Sequence, residues 1–276
     1  MQEIKVLNHG FVKFVDQLGN DKRICDAARV SYQSHETDFD KTKNRKLIRY
    51  MLSHGHTSPF EQVEFVFHIK LPIFIARQMV RHRTASLNEV SGRYSQLKTE
   101  FYSPKLDRMQ GQSEINKQGS DGKKIDDSVC HRATMEYEQD LLAYNYNNYI
   151  EAGISKEIAR INLPLSVYTE LYWKIDLHNL FHFLKLRLDS HAQYEIRVYA
   201  QAIAGIIKDK IPLAYEAFED CILNARKFSA QEMSIIQDVF TRINTIDQEF
   251  NTIEYANLNQ RERVEFFKKL NLEEFE

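Results

Sequence analysis

Only nine glycines stand in this chain of 276 residues, at positions 10, 19, 55, 92, 111, 119, 122, 153 and 205, and no two are spaced Gly-x-Gly. That is about half the ordinary share. Glycine-rich phosphate cradles need closely spaced glycines ahead of a helix, because only a backbone without Cβ can wrap a pyrophosphate. The dinucleotide-binding Gly-rich turn and the P-loop are therefore excluded. Any nucleotide held by this chain must be gripped by side chains.

The rest of the composition narrows the class. With 43% apolar and 28% charged residues the chain is long enough for one large domain or two small ones. Its net charge of −2 supplies no global basic field for non-specific nucleic-acid binding, so any basic site is local. Cys25, Cys130 and Cys221 lie too far apart for a disulfide framework or a metal knuckle and read as buried, inert thiols. The opening MQEIKVLNHG lacks the pattern of a signal peptide, and no run has the length of a membrane span. A cytoplasmic protein that meets no membrane is expected. Seventeen Phe and fourteen Tyr suit a large core and stacking surfaces for planar ligands.

Hydrophobic period organises the chain. Residues 4–18 read as strands broken at Gly10, 22–32 as a helix, and 44–54 as a helix stopped by Gly55. Val63, Phe65, Phe67, Ile69 and Leu71 alternate with polar residues and mark a strand over 61–71. Pro72 then opens a helix over 73–83 whose Arg77, Gln78, Arg81 and His82 share a polar face. Residues 105–127 read as a long polar loop, and 128–152 as a helix ended by Gly153. Ser155 caps a short helix to Leu163, a second strand covers 165–175, and Leu177, Phe181, Leu184 and Leu188 stripe a helix. Asp189 or Ser190 caps the next helix, which reaches Lys208, and Pro212 opens another. Ser229 with Glu232 and Asn259 with Glu262 form capping boxes in the tail. The pattern predicts an α+β fold: a single domain over 1–225 with a central, mostly antiparallel sheet flanked by helices, and a C-terminal helical extension over 226–276.

The densest polar cluster runs from Arg81 to Arg93, RHRTASLNEVSGR; with Arg77 it holds four arginines and one acid, Glu89. Arginine offers a planar fork of donors that matches phosphate and stays ionised in a desolvated cleft. A solvated basic loop, a nucleic-acid contact and a nucleotide-phosphate site all fit this cluster. Ser86, Asn88, Ser91 and Gly92 add neutral donors and close backbone approach, which favours the last of the three.

The pattern Arg-His-Arg-x-x-Ser-x-Asn-Glu-x-Ser-x-Arg resembles the signature of flavin-dependent thymidylate synthases, with Arg81, His82, Arg83, Ser86, Asn88, Glu89, Ser91 and Arg93 at its fixed positions. HGHTSPFEQ at 54–62, PIFIARQMVRHR at 72–83, ARINLPLSVYTELYW at 159–173 and LRLDSHAQYEIRVYA at 186–200 resemble further family blocks in the same order. The resemblance covers residues 1 to roughly 225 but neither the 105–127 loop nor the tail.

The resemblance implies a homotetramer with active sites at subunit junctions, binding FAD, dUMP, 5,10-methylenetetrahydrofolate and NADPH. Such an enzyme transfers the methylene to C5 of the uracil and takes its hydride from reduced flavin. For FAD it implies contacts from His56, Ser58, Glu61, Arg81, His82, Arg83, Glu89, Asp176, Leu177, His178 and His182. For dUMP it implies Gln78, Arg81, Glu89, Val90, Ser91, Gly92, Arg93, Arg160 and Arg187, with the 91–93 stretch at the 5′-phosphate. Arg187 matches the arginine that favours ionisation of the pyrimidine N3 and so is the candidate catalytic residue. The chain departs from the family at Asp176 and His182, where many members carry asparagine.

Rival assignments follow from spacing alone. His178, His182 and Asp189 fit a two-histidine, one-carboxylate metal site for a metal-dependent nucleotide hydrolase; the family reading calls for no metal. Ser91 beside His82 lacks a carboxylate orienter for a nucleophile set, and Ser190, His191 and Glu195 look like a Ser-His-acid set whose spacing on one helix suits capping and i,i+4 pairing better. A non-catalytic nucleic-acid-binding module on the arginine loop is the remaining alternative.

Overall fold

The computed structural model describes residues 3–32, 40–114 and 117–246, together with 262 and 264–266. The chain divides into two compact units, residues 1–224 and 225–276.

In the first unit a five-stranded sheet has the order β1 (Glu3–Val6), β2 (Gly10–Leu18), β3 (Glu64–Pro72), β7 (Tyr168–Asp176) and β4 (Ser86–Glu89). Every pairing is antiparallel. The alternation expected for β3 and β7 is realised in register: Phe65 faces Ile175, Phe67 faces Trp173 and Ile69 faces Leu171, all buried. Their neighbours His68 and Tyr172 pair on the other face, with rings stacked at 4.9 Å. One side of the sheet is thus core and the other partly wet, as an antiparallel sheet permits.

Helices cover the core face: α1 (Asp21–Arg29), α2 (Lys41–Ser53), α3 (Ser58–Glu61), α4 (Ile73–Met79), α7 (Leu177–Arg187), α8 (Tyr194–Lys210) and α9 (Pro212–Phe218). α5 (Ser128–Glu151) and α6 (Lys156–Ala159) precede β7. Gly55 and Gly153, with φ of +72° and +84°, follow α2 and α5 as expected for residues that leave a helix through the left-handed region. Gly10 is required for another reason. A Cβ there would lie 2.0 Å from the Tyr199 hydroxyl, which donates to the Lys70 carbonyl at 2.8 Å.

Several boundaries differ from the sequence reading. Residues 58–61 form the short α3, so β3 starts at Glu64. The helix expected over 73–83 ends at Met79, and Arg81–Arg83 fall in the turn that follows. The 105–127 stretch is not all loop: β5 (Gln110–Gln112) and β6 (Ser120–Lys124) pair as a hairpin whose polar, glycine-containing strands carry no apolar alternation. α8 begins at Tyr194, because Asp189 instead accepts from the backbone and ring of His191 and closes its own turn. Of the cysteines only Cys25 is buried; Cys130 is exposed and Cys221 partly so.

Asp21 shows how the helices are tied together. Its buried carboxylate accepts from the Leu213 and Ala214 N–H groups at 2.9 and 3.0 Å, capping α9 from the start of α1. Burial nevertheless pushes this carboxyl above the ordinary aspartate range.

In the second unit α10 (Ala230–Ile246) opens with the expected capping box: Ser229 N–H donates to Glu232 at 2.8 Å and Glu232 N–H to the Ser229 hydroxyl at 3.2 Å. The box at Asn259 lies outside the described residues. No helix among the described residues is long and apolar enough to cross a membrane.

Candidate functional site

The turn Arg81–Thr84, between α4 and β4, faces one side of α7. Asn179, His182, Leu186 and Arg187 recur along that side at helical spacing, while Leu177, Leu180, Phe181 and Leu184 are buried behind it. Between turn and helix lies a cavity of about 330 Å³ lined by Arg81, His82, Arg83, Thr84, Asn179, His182, Leu186 and Arg187. Three arginines and two histidines converge there, and the lining contains no carboxylate.

Two polar atoms in this lining are buried without a hydrogen-bond partner, His82 Nε2 and Arg187 Nε. Such atoms cost free energy unless something completes them, so a bound polar group is the ordinary explanation: an acceptor for the Arg187 Nε–H, and a donor or acceptor for His82 Nε2 according to its tautomer. The His82 ring lies edge-on to Phe183 at 5.0 Å and meets His182 at 5.8 Å. Burial, the nearby Arg187 charge and His182 together hold His82 down to about 4, so its imidazole is neutral at physiological pH. Burial also lowers Arg187, although a guanidinium stays charged throughout the physiological range. The fixed positive charge is therefore arginine, with a neutral imidazole beside it.

The edge strand β4 positions the second half of the signature. In antiparallel register Leu87 pairs with Trp173 and Glu89 with Leu171, which puts Glu89 on the core face of the sheet. There the Thr169 hydroxyl donates to Glu89 Oε1 at 2.6 Å. Val90 N–H bonds to the Glu170 carbonyl, and the Ser91 carbonyl accepts from Tyr94 and Ser95, so residues 91–95 form a turn. A Cβ on Gly92 would lie 3.0 Å from Arg160 Cδ and 2.9 Å from Leu97 Cδ1. The glycine thus lets the Arg160 stem cross the turn. Arg93 is exposed and loosely paired, its Nε 3.4 Å from Glu157.

The remaining candidates lie around this centre. Gln78 Nε2 donates a hydrogen bond to Gln193 Oε1 at 2.6 Å. His56, on the α2–α3 connection, and Ser58 and Glu61, at the two ends of α3, are exposed, while Phe60 of α3 packs against Phe181 of α7. His56 sits 5.9 Å from the Tyr50 ring. Leu177 has its side chain in the core and its N–H on the Val63 carbonyl. His178 is half-buried outside the cavity lining. Asp176 caps α7: one oxygen accepts from Asn179 N–H at 3.0 Å, the other from Asn179 Nδ2 at 2.7 Å.

The rival constellations do not assemble. Asp189 is engaged with His191, and among the described residues no three His, Cys, Asp or Glu side chains group to hold a metal ion. Ser91 Oγ accepts from Arg93 N–H, while His82 faces Phe183 and His182. Glu195 is buried between the Tyr102 hydroxyl and Arg108, away from a nucleophile's role. Sequence reasoning missed Thr84, Thr169, Asn179 and Leu186. Asn179 and Leu186 were findable, since they sit three before and four after His182 on one helical face; Thr169 carried no signal inside an apolar strand.

Residues 13–213 match the family model described as thymidylate synthase complementing protein. A flavin-dependent thymidylate synthase of Wolbachia pipientis wMel is 48% identical over 257 residues, covering 91% of this chain and 88% of that protein. One from Thermus thermophilus is 50% identical over 238 residues, 86% of each chain. Among solved structures, the UMP/dUMP methylase PolB of Streptomyces cacaoi bound with 5-Br dUMP superposes with a TM-score of 0.70 at 32% identity, over 78% of this chain and 97% of that one. By its fold, its signature and these relatives, this chain belongs to the flavin-dependent thymidylate synthase family.

Proposed function

We propose that the basic cavity between the Arg81–Thr84 turn and α7 is the flavin-binding part of the active site in this flavin-dependent thymidylate synthase, which makes dTMP from dUMP, the methylene of 5,10-methylenetetrahydrofolate and hydride from NADPH-reduced FAD. The observation that carries the reading is the pair of buried, unpartnered atoms, Arg187 Nε and His82 Nε2, on one acid-free cavity. Both are suited to a hydrogen bond with a polar ligand atom. When bound and reduced, FAD supplies the hydride; the chain's own residues bind, orient and polarise.

Arg81, Arg83, His82 and His182 contribute flavin contacts from the lining, with His56, Ser58 and Glu61 on the α2–α3 connection and α3, and Glu89, Asp176, Leu177 and His178 at its margins. Gln78, Glu89 and residues 90–93 with Arg160 form the dUMP side, which Arg81 also reaches. The Arg160 stem lying against Gly92 supports this grouping, since it brings a guanidinium beside the turn whose N–H groups and Arg93 would hold the 5′-phosphate. The weak Arg93–Glu157 pair is exposed and costs little to exchange for a phosphate. Arg187, partly desolvated at the end of α7, stabilises negative charge developing on the pyrimidine and so strengthens C5 as a nucleophile.

The site extends beyond one copy of the chain in this reading. A space of about 330 Å³ is near the lower bound of ligand pockets, too small for FAD and dUMP together. Tyr94, Ile161 and Leu165 flank the signature with 78%, 68% and 64% of their surface exposed, as expected for a face covered by a second subunit. A homotetramer with shared sites accommodates both facts. Residues 1–225 act as the synthase unit, 226–276 as an appended helical element, and the cytoplasm, where dUMP and NADPH are available, is the working compartment.

A visible spectrum tests the reading. The purified protein should show the flavin band in the blue, or acquire it on titration with FAD, and the band should bleach with NADPH in the presence of dUMP. A colourless protein that takes up no FAD would overturn it.

A further inference from the structure

We propose that Asn179 is a ligand-binding residue of the basic cavity, held by Asp176 so that its carbonyl oxygen accepts a hydrogen bond from an N–H or O–H group of the flavin dinucleotide. The inference rests on the reading of the cavity as the flavin site. Asp176 is a carboxylate that can only accept, so the Asn179 atom 2.7 Å from it is the amide nitrogen as a matter of chemistry. That leaves Oδ1 as the free end of an amide in the cavity lining. Neighbouring Arg81, Arg83 and Arg187 offer only donors. A flavin dinucleotide carries both acceptors and donors, the donors being its ribityl and ribose hydroxyls, its isoalloxazine imide and its adenine amine. The arginines would leave such donors unmet; Asn179, beside the Thr84 hydroxyl and the His82 imidazole, supplies a neutral amide acceptor held in place by Asp176.

The same geometry accounts for Asp176. Its carboxylate would repel the pyrophosphate if it faced the ligand, but both oxygens are turned to its own helix, one on Asn179 N–H and the other on the Asn179 side chain. Asp176 is therefore a positioning residue that acts through Asn179.

The test compares FAD affinity, read by flavin fluorescence on apo-protein, with thermal stability. Asn179→Leu keeps the side chain's shape and removes both polar atoms; FAD binding should weaken about tenfold, the scale of one good hydrogen bond. Asp176→Ser keeps an N-cap acceptor but cannot hold the Asn179 amide. It should weaken FAD binding several-fold with little change in Tm, which a purely structural role would not do. The double variant should bind no worse than Asn179→Leu alone, because the two residues act in series. Arg81→Ala serves as the control for the cavity itself. If Arg81→Ala weakens FAD binding while Asn179→Leu and Asp176→Ser bind as the wild type does, the cavity reading stands and the role of Asn179 is overturned. If none of these variants changes FAD affinity, the cavity reading falls and the proposal with it.

Discussion

The imidazole of His182 meets that of His82 with 5.8 Å between ring centroids and 60° between planes, at the wall of a cavity that three arginines also line. Of the two rings, His82 is pressed deeper, against Phe183, with its Nε2 buried and unpartnered. This arrangement makes His82 a reporter of the cavity's electrostatics.

The His82 imidazole should stay neutral through pH 5 and titrate near 4, against an ordinary 6.5. Its proton is taken up more readily by the unfolded chain, so as pH falls from about 6.5 towards 4 His82 destabilises the fold, and above 6.5 it contributes no pH dependence. Histidine ring NMR of the apo-protein measures this directly. Arg187→Met should raise the titration point by removing the nearest charge. A His82 that titrates normally would show that the ring is solvated.

Thr169→Val should uncouple Glu89. The variant is isosteric and leaves β7 packed, but it removes the 2.6 Å bond that fixes the carboxylate. The expected loss is about 1 kcal/mol in stability and about tenfold in dUMP-dependent turnover, measured by thermal melts and steady-state kinetics. Unchanged turnover would separate Glu89 from the site.

Gly92→Ala puts a methyl group 3.0 Å from Arg160 Cδ and 2.9 Å from Leu97 Cδ1, and both side chains must shift. Because those neighbours are side chains, stability should fall by no more than about 1–2 kcal/mol. The KM for dUMP should rise more than kcat falls, since the displaced guanidinium belongs to binding. A selective loss of kcat would contradict that assignment.

Asp21→Ala tests the tie between α1 and α9. It strips two backbone N–H groups of their buried acceptor and should cost about 2 kcal/mol, with a matching fall in Tm. FAD affinity per folded molecule should not change, because Asp21 lies outside the cavity lining.

How much of this could be read beforehand depends on the element. β3 and β7 were legible because burial of one face imposes alternation, which the structure realises from Val63 to Ile69 and from Leu171 to Ile175, before Lys70 is also buried at the end of β3. β4 was not, since Ser86–Glu89 is an edge strand with all four residues exposed and no apolar period to betray it. Residues 105–127 looked like loop for the same reason. The arginines of the signature were visible as a charge cluster, but their meeting with His182 and Arg187 depends on the turn after Met79 folding back onto α7, a long-range packing event. Asp21 could not be found by pattern, because a carboxylate at a helix start normally faces water. The scarce glycines kept their meaning, and Gly92 gained a more specific one: its missing Cβ makes room for Arg160.

The central claim is that Arg187 acts on the reaction from its partly desolvated position in the cavity wall. Arg187→Ala compared with wild type, in single-turnover kinetics and in dUMP binding, tests it most directly. The expected result is a fall of about 10²–10³-fold in turnover, with dUMP affinity changed far less. Equal losses in turnover and affinity would contradict the claim and leave Arg187 as a binding residue alone.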